Sequence, residues 1–375
     1  MRLIFIDFTI PHLFADADFP VGGWAVELRT WLGGFRKIGV ETAILTKTDI
    51  AYSAIGTEET HLLPVYAPRG RIPGVAYLFG FLPRMFRSAY AYNPDIVIQA
   101  VAGINTGLMA LLARFLCRPF VYRCANDIEV DQRFRERMGW LPAVLYSWGF
   151  ARADAYIAQN GYQLTEIRKR FPNKPAIVLH NPFQQRSDMP LLPRETRGYV
   201  AWLGVFQPQK NLPLLAKVAA ALPDIAFHIG GKLEVVMNDG ATLAAIERLK
   251  SLPNVNFVGY LGRADVPAFL SHAILLLSTS HYEGFSNTFL EAWSTGTPLV
   301  APIRVDPDGL IAKEGLGCAV SEEAEIVGAV RSLIDLPLAD YSTLSARCKN
   351  YVRNAHDPEF LARRFVDFLH NEVQS

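Results

Sequence analysis

Residues 281–298 read HYEGFSNTFLEAWSTGTP, and this run joins two apolar segments in a way that few folds allow. The apolar run AILLL at 273–277 precedes it and ends in Ser278-Thr279-Ser280, the pattern of a buried strand followed by a loop. Ser286, Asn287 and Thr288 then open a helix, because small polar side chains accept hydrogen bonds from its first N–H groups. Gly296 stops that helix, Pro298 stands two residues beyond it, and a second apolar run begins at Leu299. Strand, loop, helix and strand in this order form the unit of a parallel sheet. In open sheets of that kind ligands bind in the crevice at the carboxyl ends of the strands.

Two carboxylates punctuate the stretch, Glu283 on the loop and Glu291 in what the pattern predicts to be the first turn of the helix. Backbone N–H groups at a helix start attract an anion such as phosphate. A carboxylate beside them accepts both hydroxyls of a ribose attached to that phosphate, and Glu283 accepts hydroxyls of a sugar on its other side. Thr288-x-x-Glu291 fits a capping box equally well, with Glu291 only satisfying the helix start. Spacing alone leaves both readings open.

The run EGFSNTFLEAWSTGTP resembles the EX7E signature of retaining glycosyltransferases with the GT-B fold, most closely glycosyltransferase family 4. The resemblance extends upstream through NVNFVG at 254–259 and downstream through DPDG at 306–309. It implies an α/β protein of two Rossmann-like domains facing across a cleft. Residues 1–185, completed by a C-terminal helix over 357–375, are the expected acceptor-binding domain. Residues 197–356 are the expected donor-binding domain, and the polar stretch 184–197 reads as a linker. The implied reaction moves a sugar from a nucleotide diphosphate sugar to an acceptor hydroxyl with retention at the anomeric carbon, in the making of a polysaccharide, glycolipid or other glycan. Front-face attack needs no enzymic nucleophile, no cofactor and no catalytic metal.

The resemblance carries over to residues one by one. Gly22-Gly23, just ahead of a predicted helix, match the glycine-rich first loop that faces the donor phosphates. Strand 199–203 ends in Gly204, where the family has Gly-Arg and then, five positions on, a Lys; this chain keeps Gly204 and Lys210 but has Val205 for the Arg. Another strand ends in Gly230-Gly231 and is followed by Lys232. Tyr260 follows the strand that receives the base, and Gly284, Phe285, Ser286, Asn287 and Glu291 complete the expected donor site. Glu283 is the expected catalytic carboxylate. Ala125 stands where many members carry a histidine, and Asp127 is its nearest ionisable substitute. The departures at Val205 and Ala125 keep two alternatives in view, a non-catalytic GT-B-like binding subunit and a nucleotide-sugar epimerase.

Half of the residues are apolar and 19% are charged, which excludes a disordered chain. The four cysteines form no CxxC pair or metal-like cluster, pointing to a reducing, cytoplasmic setting. Asp16-Ala17-Asp18 has the form of a metal-binding DxD but reads as a solvated loop. Between His61 and Asn126 the only acid is Asp95, against Arg69, Arg71, Arg84, Arg87, Arg114, Arg118 and Arg123. Over 68–92 the arginines alternate with Tyr77, Phe79, Phe81, Met85, Phe86, Tyr90 and Tyr92, a composition suited to peripheral contact with an anionic membrane surface at its inner face. No nucleic-acid-binding signature accompanies them. The 357–368 segment is amphipathic at helical spacing, with Phe360, Leu361, Phe365 and Phe368 on its apolar face.

Overall fold

A computed structural model describes residues 1–14, 22–47, 60–66, 77–131, 133–186, 189–233 and 239–374. Asp16, Asp18, Arg69 and Arg71 lie outside the described residues. The chain forms two compact units, Met1–Gln184 with Asp357–Ser375, and Gln185–His356.

The first unit is built on a seven-stranded parallel sheet of order β3-β2-β1-β4-β5-β6-β7. Its strands are β1 (Arg2–Ile6), β2 (Glu41–Lys47), β3 (His61–Tyr66), β4 (Ile96–Ala100), β5 (Phe120–Arg123), β6 (Ala155–Ala158) and β7 (Ala176–Val178). The central strands are buried along their length, as continuous apolar runs in a sheet covered on both faces must be. Helix α1 (Gly23–Lys37) lies on one face, where Trp31 and Phe35 meet Phe365 of the C-terminal helix, Pro358–Glu372, each at 5.2 Å between ring centroids. Gly34 makes this packing possible, since a Cβ there would run into the Pro358 carbonyl oxygen. Leu361, Phe365 and Phe368 bury as the spacing predicts, whereas Phe360 is 49% exposed: it falls beside the stripe, not on it. The other face carries α2 (Leu82–Tyr92), α3 (Ile104–Leu116) and α4 (Trp140–Arg152).

The second unit has a six-stranded parallel sheet of order β10-β9-β8-β11-β12-β13. The strands are β8 (Tyr199–Leu203), β9 (Phe227–Gly230), β10 (Val255–Gly259), β11 (Ala273–Leu277), β12 (Leu299–Pro302) and β13 (Gly317–Val320). Helix α5 (Asn287–Ser294) connects β11 to β12. The expected linker does not hang free. Arg197 is buried and donates to the carbonyls of Leu192, Ala273 and Thr295 and to Thr297 Oγ1, because a guanidinium taken from water needs an acceptor for each N–H. In each unit the strand order reverses once, between β1 and β4 and between β8 and β11, and a crevice opens at each reversal.

Candidate active site

In the second unit the β8/β11 reversal brings two loops together. After β8 the chain turns through Pro208–Lys210, and Asn211 adopts a left-handed conformation (φ 50°) that an asparagine tolerates. Thr279 Oγ1 donates to the Lys210 carbonyl (2.7 Å) and accepts from Trp202 Nε1 (3.1 Å). The His281 amide donates to the Gln209 carbonyl (2.8 Å), and Gln209 Nε2 donates to that of Tyr282 (2.9 Å). These bonds fix Lys210 against the loop carrying Glu283, and Lys210 Nζ meets Glu283 Oε1 at 2.6 Å. Both side chains are largely buried. An ammonium has three N–H donors and a carboxylate two oxygens, so the pair keeps capacity for further partners on each side.

Helix α5 starts at Asn287, two residues earlier than a Thr288 box requires, and its cap position is Ser286. The Ser286 side chain makes no cap bond; its hydroxyl meets Thr288 Oγ1 at 2.8 Å. Glu291 therefore falls in the second turn, not the first as the sequence pattern predicts, and the capping box does not form. Glu291 is half-buried as a residue, yet its carboxyl is hemmed in by protein, and that desolvation pushes it up to about 7, with Arg263 pulling the other way. Lys210, Ser286 and Thr288 line a small recess over β8 and β11 together with Ser278 and Ser280. Gly204, Gly284 and Phe285 lie on the loops that frame it, and Tyr260 is exposed just past β10.

In the first unit a cleft of about 600 Å³ opens at the β1/β4 reversal. It is lined by residues 6–9 after β1, by Gly22, Trp24 and Ala25 at the start of α1, and by residues 99–105 after β4. Gly22 is the cap residue of α1, with exposed backbone and open space where a Cβ would stand, and Gly23 begins the helix. Val101 is held at φ +68°, a strained conformation for a β-branched residue, and Gln99 is buried with its Oε1 unpaired among the described residues. Asp127 is not among the residues lining this cleft. Its Oδ1 accepts from Asn160 Nδ2 and Gln163 Nε2, both at 2.9 Å, while burial pushes the carboxyl up to about 6.

Two groups escape the sequence reading. Glu129, buried and pushed up to about 7 by desolvation, accepts from Tyr122 Oη (2.9 Å) and the Ala125 and Ala102 amides (3.0 and 3.4 Å). It ties the loops after β4 and β5 together, and its only signal in the sequence is an acid two residues past Asp127. Arg123, which composition groups with the basic surface, is buried and paired with Glu27 at 2.6 Å, with Asn181 and Leu179 taking its other donors. A strand-end arginine facing a helix glutamate 96 residues earlier has no local signature. Among the described residues no group of three or more His, Cys, Asp or Glu could hold a metal ion, and no helix is long and apolar enough to cross a membrane.

Comparison with known proteins bears on the second unit most directly. Residues 184–355 match the family model described as Glycosyl transferases group 1. A glycogen synthase of Mycobacterium tuberculosis is 27% identical over 271 residues, 66% of this chain and 62% of that protein. The chain thus spans about three fifths of the length of that relative. A D-inositol 3-phosphate glycosyltransferase of Mycobacterium sp. is 33% identical over 123 residues, 31% of this chain and 26% of that protein. Sucrose-phosphate synthase from Thermosynechococcus elongatus superposes with a TM-score of 0.74 at 18% identity, covering 99% of this chain and 98% of the other. Anabaena HepE, solved with UDP and glucose, gives 0.71 at 15% identity, with 99% of each chain covered. At these identities the structural likeness is one of fold. Residues 184–355 thus match the Glycosyl transferases group 1 model, and the chain has the two-domain α/β GT-B fold of the solved structures it superposes on.

Proposed function

We propose that this chain is a retaining glycosyltransferase of the family 4 type that takes its sugar from a nucleotide diphosphate sugar and transfers it to an acceptor hydroxyl in glycan synthesis. The observation that carries the reading is the Lys210–Glu283 pair at the β8/β11 reversal, with Ser286 at the start of α5 beside it and Glu291 one turn further on. Lys210 places positive charge where the leaving diphosphate gathers negative charge, and no side chain from the cap position competes with a phosphate at the start of α5. The second Glu283 oxygen accepts sugar hydroxyls, and Glu291 accepts those of the ribose. The bond from the anomeric carbon to the phosphate oxygen breaks, the bond to the acceptor oxygen forms on the same face, and the acceptor's proton passes to the leaving phosphate. The site residues act without a metal or further cofactor in this scheme.

The acceptor belongs to the cleft of the first unit, and a membrane-borne acceptor fits that unit's surface. Helices α2, α3 and α4 contain no acidic residue. They expose Arg84, Arg87 and Arg114 beside Tyr90, Phe115 and Trp140, the last 78% exposed, and Phe79 stands out just before α2. Such a surface suits the inner, anionic leaflet of a cytoplasmic membrane. Phe81 and Met85, by contrast, are core.

A panel of nucleotide sugars tests the donor reading, since a ligand at 100 times its Kd stabilises a protein by about 2.7 kcal/mol. One donor should raise the melting temperature, and the glycoside formed from it should keep the donor's anomeric configuration by NMR. An inverted product would refute the retaining reading. Conversion of the donor sugar to its epimer without acceptor would establish the epimerase instead.

A further inference from the structure

Among the described residues, the recess at the β8/β11 reversal is lined by one cation, Lys210, for a group carrying at least two negative charges. Val205, where the family resemblance calls for an arginine, is an apolar, partly exposed side chain. Two other cations near the strand ends are engaged: Arg304 pairs with Glu323 (3.0 Å) and donates to the Ser280 carbonyl (3.3 Å), and Arg263 acts on Glu291. Lys232 differs from these. It is half-buried and has no carboxylate partner among the described residues; its ammonium lies over the Tyr260 ring, 5.4 Å from the centroid.

The backbone sets Lys232 beside the gap. The Phe206 amide donates to the Lys232 carbonyl at 2.8 Å, and Phe206 and Leu233 form a parallel bridge, so residues 231–233 run directly alongside 204–206. Gly231, at φ +147°, packs so closely that a Cβ would run into the Gly204 carbonyl oxygen. The Lys210 stem passes the same glycine, with Cε 3.5 Å from where a Gly204 Cβ would stand. Lys210 and Lys232 therefore both belong to segments that pass Gly204. An ammonium resting on an exposed ring is held by a contact weaker than a charge-assisted hydrogen bond to phosphate, so an arriving anion draws it away at small cost.

We propose that Lys232 is the second cation on the donor diphosphate, reached from the neighbouring strand end in place of the arginine that Val205 does not supply. This rests on the donor-site reading of the second unit. Lysine binds phosphate as a point charge without the bidentate fork of an arginine, so the site selects for charge more than for the geometry of the two phosphates.

Calorimetric titration with UDP, GDP and ADP, and with the corresponding nucleosides, tests it on the full chain. Lys232→Ala should weaken the best diphosphate at least tenfold, leave its nucleoside unchanged and flatten the salt dependence. Lys232→Arg should preserve binding, and Val205→Arg should restore it in the Lys232→Ala background. Unaltered diphosphate affinity in Lys232→Ala, or an equal loss of nucleoside and diphosphate, would overturn the assignment; the second result would make Lys232 a support for Tyr260 only. Should the unmodified protein bind none of the three diphosphates, the donor reading itself fails and this inference with it.

Discussion

Glu291 is the residue on which the two readings of the sequence part. The spacing fits a ribose carboxylate and a capping box alike, and the helix start at Asn287 removes the box. What remains is a desolvated carboxyl at about 7, and its sign can be worked out. Below the ordinary carboxylate range both folded and unfolded states carry the proton. As pH rises from there to about 7 the unfolded chain gives up its proton first, so stability falls, and above 7 it stays level. The loss amounts to at most about 3 kcal/mol, and less to the extent that water reaches the group. Glu291→Gln should show a shallower fall in melting temperature over that window. In the proposed donor site the ionised form would accept two ribose hydroxyls, so nucleotide affinity should rise from pH 6 to 8 in the unmodified protein more than in the Glu291→Gln variant. Glu291→Ala should lose about 1.5–3 kcal/mol of nucleotide affinity, the range for hydrogen bonds to a charged group. Parallel pH profiles of affinity for the unmodified protein and Glu291→Gln would show that the carboxylate does not touch the ribose.

At the scale of elements, apolar runs bounded by small residues are enough to place β8, β11, the end of β9 and the start of β12 within a residue or two. Each is a short buried strand, and burial leaves a signal that composition alone reveals. Boundaries of helices are less legible, because the first turn of α5 depends on which of three small polar residues takes the cap backbone conformation. Contacts between elements are less legible still: the resemblance returns the C-terminal helix to the first domain but does not say which residues it meets. Gly34 reads as one of a pair in a helix, and only the structure shows that this is the point against which the C-terminal helix packs. Gly34→Ala should cost about 1–3 kcal/mol by overpacking and lower the melting temperature without changing nucleotide affinity; an unchanged melt would mean that the two helices do not approach this closely. The basic aromatic run divides in the structure between core and surface, and its exposed arginines carry their own test. Replacing Arg84, Arg87 and Arg114 together should weaken binding to anionic vesicles by about 3 kcal/mol, at about 1 kcal/mol per residue near the surface. Equal and negligible sedimentation with neutral and anionic vesicles would leave these arginines as a solvated rim.

For the whole molecule, two parallel sheets with one reversal each supply two crevices, and the chemistry is unequally legible between them. The second unit's site lies on the loops after β8 and β11, neighbours in the sheet, where the family resemblance names Gly204, Lys210, Glu283 and Ser286, and Lys210 and Glu283 do meet. The first unit's polar groups are set by long-range burial: Glu27 with Arg123, and Glu129 across two loops, belong to no motif. Asp127, chosen as a substitute for a missing histidine, accepts from Asn160 and Gln163 and is not among the residues lining the cleft. The proposed function depends on Lys210 and Glu283 forming a donor-diphosphate site. It is tested most directly by titrating UDP, GDP and ADP into the unmodified protein and into Lys210→Ala. One-to-one binding of at least one diphosphate is expected, weakened about tenfold or more by the substitution, as loss of a charged hydrogen bond requires. Equal affinity in the two proteins would contradict it.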